Sequence, residues 1–171
     1  MIGYHFLRHN YRAGRGDEKP WVIGETRIIP VANRKKIVLC KYGYHFSPTL
    51  FDALMYAPGP LACLVQVPDE SQVSKEDSPK GVTYQRTLVK AINVDRELRL
   101  FAADCAERVL LIFERERPND DRPRKAIQAA RDFANGKIDA AARAAARAAE
   151  TKWQRAHFSQ MFAELFEEQS R

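Results

Sequence analysis

The chain reads as α+β: a small mixed β-sheet with one short helix, followed by a three-helix C-terminal region. Two observations predict this. Up to about Asp95 the sequence is rich in β-branched and aromatic residues and is broken often by Gly and Pro, the grammar of strands and turns. From Asp95 onward apolar residues recur every three or four positions, the period of an amphipathic helix. The expected division is an α/β head over 1–95 with a basic N-terminal segment, and a helical region over 96–171.

In the head, IGYHFLR is the first strand and YRAGRGDEKP a mobile loop, while WVIGETRIIP and KKIVLCKYGYHF supply two further strands. Ser47-Pro48 is a helix start, with Ser as N-cap and Pro at the first helical position. Leu50, Ala53, Leu54 and Ala57 give that short helix one apolar face, and Pro58-Gly59-Pro60 stops it. LACLVQV is a nearly all-apolar strand of the kind buried on both faces. PDESQVSKEDSPKG is a polar loop, and VTYQRTLVKAINV is the last strand.

In the helical region Asp95 caps a helix whose stripe is Leu98, Phe101, Cys105, Val109 and Ile112. PNDDRP breaks it, and a second helix runs through KAIQAARDFA to a stop at Asn135-Gly136. Asp139 caps the third, which starts Ala-rich and ends in a stripe of Phe158, Met161, Phe162, Leu165 and Phe166. That stripe packs on the chain's own core or on a second copy, so a homodimer through this helix is one expectation.

Composition narrows the function classes. The 171 residues are 45% hydrophobic, with no run near the roughly 20 apolar residues of a membrane span. MIGYHFLRHN has no apolar signal core. Cys40, Cys63 and Cys105 are widely spaced without a CxxC pair, which points to reduced thiols rather than disulfides or zinc. The expectation is a soluble cytoplasmic protein with no membrane partner, no metal and no cofactor. The net charge of +6 is concentrated at the start: residues 1–50 hold nine Lys or Arg against three acids. Such a field favours an anionic partner, nucleic acid included, or is a solvated surface.

The tetrapeptide GYHF occurs twice, at Gly3–Phe6 and Gly43–Phe46, and carries His5 and His45. Strand alternation puts Tyr and Phe on one face, expected inward, and His on the other, expected outward. Two such strands side by side bring the histidines together, either as an anion or proton-transfer site or as plain strand grammar. His45 lies just before Ser47 at a helix start, where backbone N–H groups can hold an anion. The candidate ligand-binding residues are accordingly Arg8, Arg12, His45 and Ser47. A second set is Arg122, Arg124 and Lys125 in NDDRPRK, cations in a first helical turn that either pair with acids such as Asp120 and Asp121 or bind an external anion. Arg143 and Arg147 form a basic stripe or a solvated face. No Walker, Rossmann, HExxH or GxSxG motif is present, and no catalytic residue is assigned.

Three resemblances add to these readings. Arg8, His45 and Ser47 resemble the first parts of an ADP-ribosyltransferase site, whose late acid has no match here because Glu70 and Glu76 lie in a loop. KIVLCKYGYHFSPTLFDALMYAPGP resembles a small domain common in phage genomes, in which a Leu-Cys-x-x-Gly-x-His-x-Ser block precedes a short helix. LRLFAADCAERVLLIFERERPNDDRPRKAIQAARDFANGKI resembles the helical family called "putative immunity protein" in phages and bacteria, through the run Asp104, Cys105, Ala106, Glu107 and the Asp-Asp-Arg-Pro-Arg-Lys block. The resemblance implies a phage or mobile-element origin. A small phage protein with a basic head, a helical tail and no complete catalytic set suggests a counter-defence protein, anti-CRISPR-like or otherwise anti-immune, that binds a host defence component stoichiometrically in the host cytoplasm. The alternatives are a sponge for a nucleotide immune signal and an ADP-ribosyltransferase-like enzyme.

Overall fold

β4 (Leu61–Gln66) is the strand that organises the head, and its composition explains why: Leu61, Ala62, Cys63 and Val65 are all buried, as a strand covered on both faces requires. The computed structural model of the chain describes residues 1–14, 18–74, 79–142 and 144, and it divides into two compact units, Met1–Asp95 and Arg96–Arg171. The first unit contains β1 (Ile2–Leu7), β2 (Thr26–Ile28), α1 (Val31–Arg34), β3 (Tyr44–Phe46), α2 (Leu50–Leu54), β4, β5 (Gln72–Val73), β6 (Gly81–Thr83) and β7 (Gln85–Asn93). The second contains α3 (Asp95–Glu116), whose first residue closes the first unit, and α4 (Arg122–Ala134).

The fold is α+β, as the change of period predicts. The single small sheet expected is two: one of order β1-β4-β7-β2 and one of order β3-β6-β5, with every pairing antiparallel. VTYQRTLVKAINV accounts for the split. It is not one strand but β6 and β7 with Tyr84 as the corner between them, so consecutive strands enter different sheets. A backbone pair between Tyr4 and Ser47, 2.8 Å in both directions, links the outer edge of β1 to the end of β3. Leu7, Phe46, Val65 and Leu88 are fully buried between the sheets; each such side chain contributes about 1.5–3 kcal/mol relative to exposure.

Three local expectations are corrected. WVIGETRIIP yields only the three residues of β2, because Ile23 and Gly24 form a turn in which Gly24 adopts a left-handed φ of 86°. KKIVLCKYGYHF forms a strand only at Tyr44–Phe46; Val38 and Tyr42 close a tight turn around Cys40, which has φ 64°. The N-cap of α2 is Thr49 rather than Ser47, and its Oγ1 accepts from the Asp52 N–H at 3.2 Å. Of the expected apolar face only Ala53 is buried, and Leu50 is exposed.

The second unit shows a larger correction. Ala103 and Leu110 are buried, while Phe101, Cys105, Val109 and Ile112 are exposed. At 100° per residue, the expected stripe lies on the side of α3 opposite its buried face. The buried side meets α4: Arg131 binds both Asp104 and Glu107 at 2.7 Å, Arg124 binds Glu114 at 2.7 Å, and the Arg99 guanidinium lies 5.0 Å over the Phe133 ring. α4 ends as its sequence predicts, with Gly136 at φ 68° after Asn135. Asp139 then accepts from the Ala142 N–H at 2.8 Å, the cap expected for a third helix. The stripe from Phe158 to Phe166, together with Arg143, Arg147 and Glu76, lies outside the described residues.

Candidate binding sites

The two GYHF copies lie antiparallel and adjacent through the Tyr4–Ser47 pair, which brings His5 and His45 within electrostatic reach of each other. Their environments differ. His45 Nε2 accepts from the Cys40 N–H at 2.8 Å and so anchors the turn around Cys40. The expectation that His5 faces outward is overturned. Both faces of β1 are covered, Phe6 and Leu7 being buried side by side, and His5 Nε2 is sealed from solvent without a hydrogen-bond partner. Burial first, then the charges of Arg86 and His45, hold the His5 pKa well below its usual 6.5.

Arg86 is the residue that sequence reading missed. It is 3% exposed and enters the core from β7. Its NH1 donates to the His45 carbonyl at 2.5 Å, and its guanidinium lies 4.3 Å from the Trp21 ring centre and 5.6 Å from that of Tyr44. The two rings meet edge-on at 5.6 Å. Its Nε has no partner, and among the described residues no carboxylate forms an ion pair with it. Burial pushes its pKa down to about 10, opposed chiefly by Glu18 from a distance, so the side chain is still a cation at neutral pH. Glu18 itself accepts from Trp21 Nε1 at 2.8 Å and from Arg27 at 3.3 Å. Arg27 covers the same indole at 4.1 Å and is held bidentately by Glu25 at 2.8 and 2.9 Å. One signal for Arg86 was available: strand alternation places it on the same face as Leu88, which is fully buried.

The sequence-predicted residues of the head are placed as follows. Arg8 and Arg12 are exposed and joined by a 2.9 Å backbone bond across the turn that ends β1. Ser47 is buried, and its backbone pairs with Tyr4. Arg8 therefore lies four residues, roughly 13 Å along a strand, beyond the level of Ser47. The arginine pair and the His45–Ser47 pair are two places on the head rather than one cluster. Of the late acids weighed for a transferase site, Glu70 accepts from the Tyr84 hydroxyl at 2.8 Å.

That carboxylate lies in the wall of a cleft of about 510 Å³ on the smaller sheet. Arg34, at the end of α1, stacks its guanidinium 3.7 Å from the Tyr84 ring centre and spends one N–H on the Ile29 carbonyl at 3.3 Å. Ser71 also lines the cleft, with its hydroxyl closed off from solvent and unpartnered. Val38 and Val82 supply apolar walls.

In the helical unit, Arg122 is bound to Asp120 through its Nε at 2.7 Å, Arg124 to Glu114, and Lys125 to Asp121 at 2.8 Å. The internal pairing weighed for these cations is thus present. Asp121 holds the N-cap position but makes no capping bond; Asp120 accepts from the Arg122 N–H at 3.2 Å instead. Hydrogen bonding to Arg122 lowers the Asp120 pKa. On the outer side of α3, Val109 is 58% and Ile112 is 64% exposed, with Arg108 and Arg115 exposed along one border. Among the described residues no three or more His, Cys, Asp or Glu are grouped to hold a metal ion, and no helix is long and apolar enough to cross a membrane.

Residues 92–161, which take in α3 and α4, match the model of a family described as "Imm-5 like putative immunity protein". No curated protein and no solved structure matches the chain.

Proposed function

We propose that the protein is a stoichiometric inhibitor, which binds an effector protein and silences it by contact, and that it serves a phage against a host defence component. The observation that carries this reading is the match of residues 92–161 to an immunity-protein family model. The exposed side of α3 supports it as the contact surface. An apolar stripe bordered by Arg108 and Arg115 suits a partner whose own apolar patch is rimmed with acids, since aliphatic burial gives affinity and the charges give orientation and on-rate. The excess of cations in residues 1–50 favours the same kind of acidic partner.

The test is phage infection of bacteria that carry one defence system each, with and without the chain expressed. Restored plaque formation in one strain identifies the effector, and the purified pair should then form a complex of fixed stoichiometry. Reproducible turnover of a nucleotide or of NAD by the pure protein would remove this reading in favour of an enzyme.

A further inference from the structure

We propose that the cleft over the smaller sheet binds a guanine nucleotide, independently of the contact surface assigned to the helical unit. Three features of its wall point there. Tyr84 and Arg34 form a stacked pair at 3.7 Å, and the guanidinium is a flat cation on which a nucleobase can lie, continuing the stack. Glu70 stands at the rim of that stack, fixed by the Tyr84 hydroxyl at 2.8 Å. A carboxylate accepts in parallel from the ring N–H and the exocyclic amine on one edge of guanine, whereas adenine presents an acceptor and a donor on its corresponding edge. Ser71 lines the same wall, and its hydroxyl is left without a protein partner, whereas such a group is paired in most native structures.

The size fits. A cleft of about 510 Å³ lies within the roughly 300–1,000 Å³ of small-molecule sites. Val38 and Val82 give the apolar sides that a base edge requires. Lys35 and Lys36, exposed and directly following Arg34, add positive charge for the phosphate. A free phosphate alone is the poorer match, because Glu70 would repel it.

Isothermal titration of the full chain with GMP, AMP and inorganic phosphate tests this. GMP should bind saturably at one site, with AMP and phosphate weaker by about tenfold or more, as expected for losing a charge-assisted hydrogen-bond pair. Glu70→Gln should weaken GMP by about tenfold or more, and Arg34→Ala should remove the stack and weaken it similarly. Should either variant unfold by circular dichroism, hydrogen exchange on the unchanged protein substitutes: GMP should slow exchange in 34–39 and 70–74. No saturable GMP binding at millimolar concentration overturns the assignment. So does equal binding of AMP, binding of phosphate as tight as GMP, or GMP affinity unchanged in both folded variants.

Discussion

Replacing His5 with leucine tests the most unusual electrostatic feature of the head. The imidazole Nε2 is sealed and unpartnered, and burial next to Arg86 and His45 keeps it neutral in the fold. The unfolded chain has no such constraint and titrates near 6.5. A group whose folded pKa is depressed leaves stability intact above the unfolded pKa and removes it as pH falls toward the folded one. Between about pH 7.5 and pH 5.5 the unfolded imidazole goes from about one-tenth to about nine-tenths protonated, while the folded one, its pKa held well below the usual value, takes up fewer protons. Linkage converts this to lost stability on the order of 1 kcal/mol. Urea unfolding of the parent and of His5→Leu at both pH values measures it. The parent should lose on the order of 1 kcal/mol more than the variant, because every other titrating group is common to both chains and drops out of the difference. At the higher pH the variant should be no less stable, since it also removes an unsatisfied buried nitrogen. Parallel pH dependences would refute the reasoning, for they would mean that His5 takes up its proton in the folded protein as readily as in the unfolded one.

Three further outcomes follow from the same structure. Arg86→Ala empties the space over the Trp21 and Tyr44 rings and strips the His45 carbonyl of its donor, so it should cost about 3–5 kcal/mol; Arg86→Met, which keeps the volume without the charge, should cost about 1 kcal/mol or nothing in the same urea titration. Gly43 has φ 131°, and a Cβ there would collide with Val82 Cγ2, so Gly43→Ala should lower stability by about 2–3 kcal/mol, read as a lower urea midpoint with an unchanged slope. Ile112→Glu, at an exposed position of α3, should leave the thermal midpoint within a few degrees of the parent while abolishing protection of phage in the infection assay.

What the sequence shows of this fold depends on how many faces of each element are covered. β4 was legible because a run of apolar residues has only one interpretation, burial on both sides. β1 was half legible: alternation separates His5 from Tyr4 and Phe6, but it does not say that both faces are covered, so the histidine was expected in solvent. α3 carries two apolar stripes. The predicted stripe runs through Phe101, Val109 and Ile112, whereas the positions the fold buries are Ala103 and Leu110. Residue size does not reveal which stripe a neighbour covers. The cleft was illegible for another reason: Arg34, Glu70 and Tyr84 come from three separated segments, and only the corner at Tyr84 brings them together. The internal pairs of Arg122 and Lys125 were the easiest to foresee, because their acids lie within four residues.

The position of β7 also decides when the head can form during synthesis. β7 pairs with β4 on one side and with β2 on the other, and its Arg86 reaches β3. It is the last strand of the unit to leave the ribosome. Before then β2 has no strand to pair with and β4 has only β1. The pairs that close this sheet are far apart in sequence, up to Thr26 with Thr87, a topology associated with folding in roughly milliseconds to seconds rather than microseconds. Nascent chains arrested before Gln85 should therefore be digested readily by protease, and chains long enough to have freed Asn93 should resist. Resistance in the shorter chains would mean that β1 and β4 hold without the strand that completes their sheet.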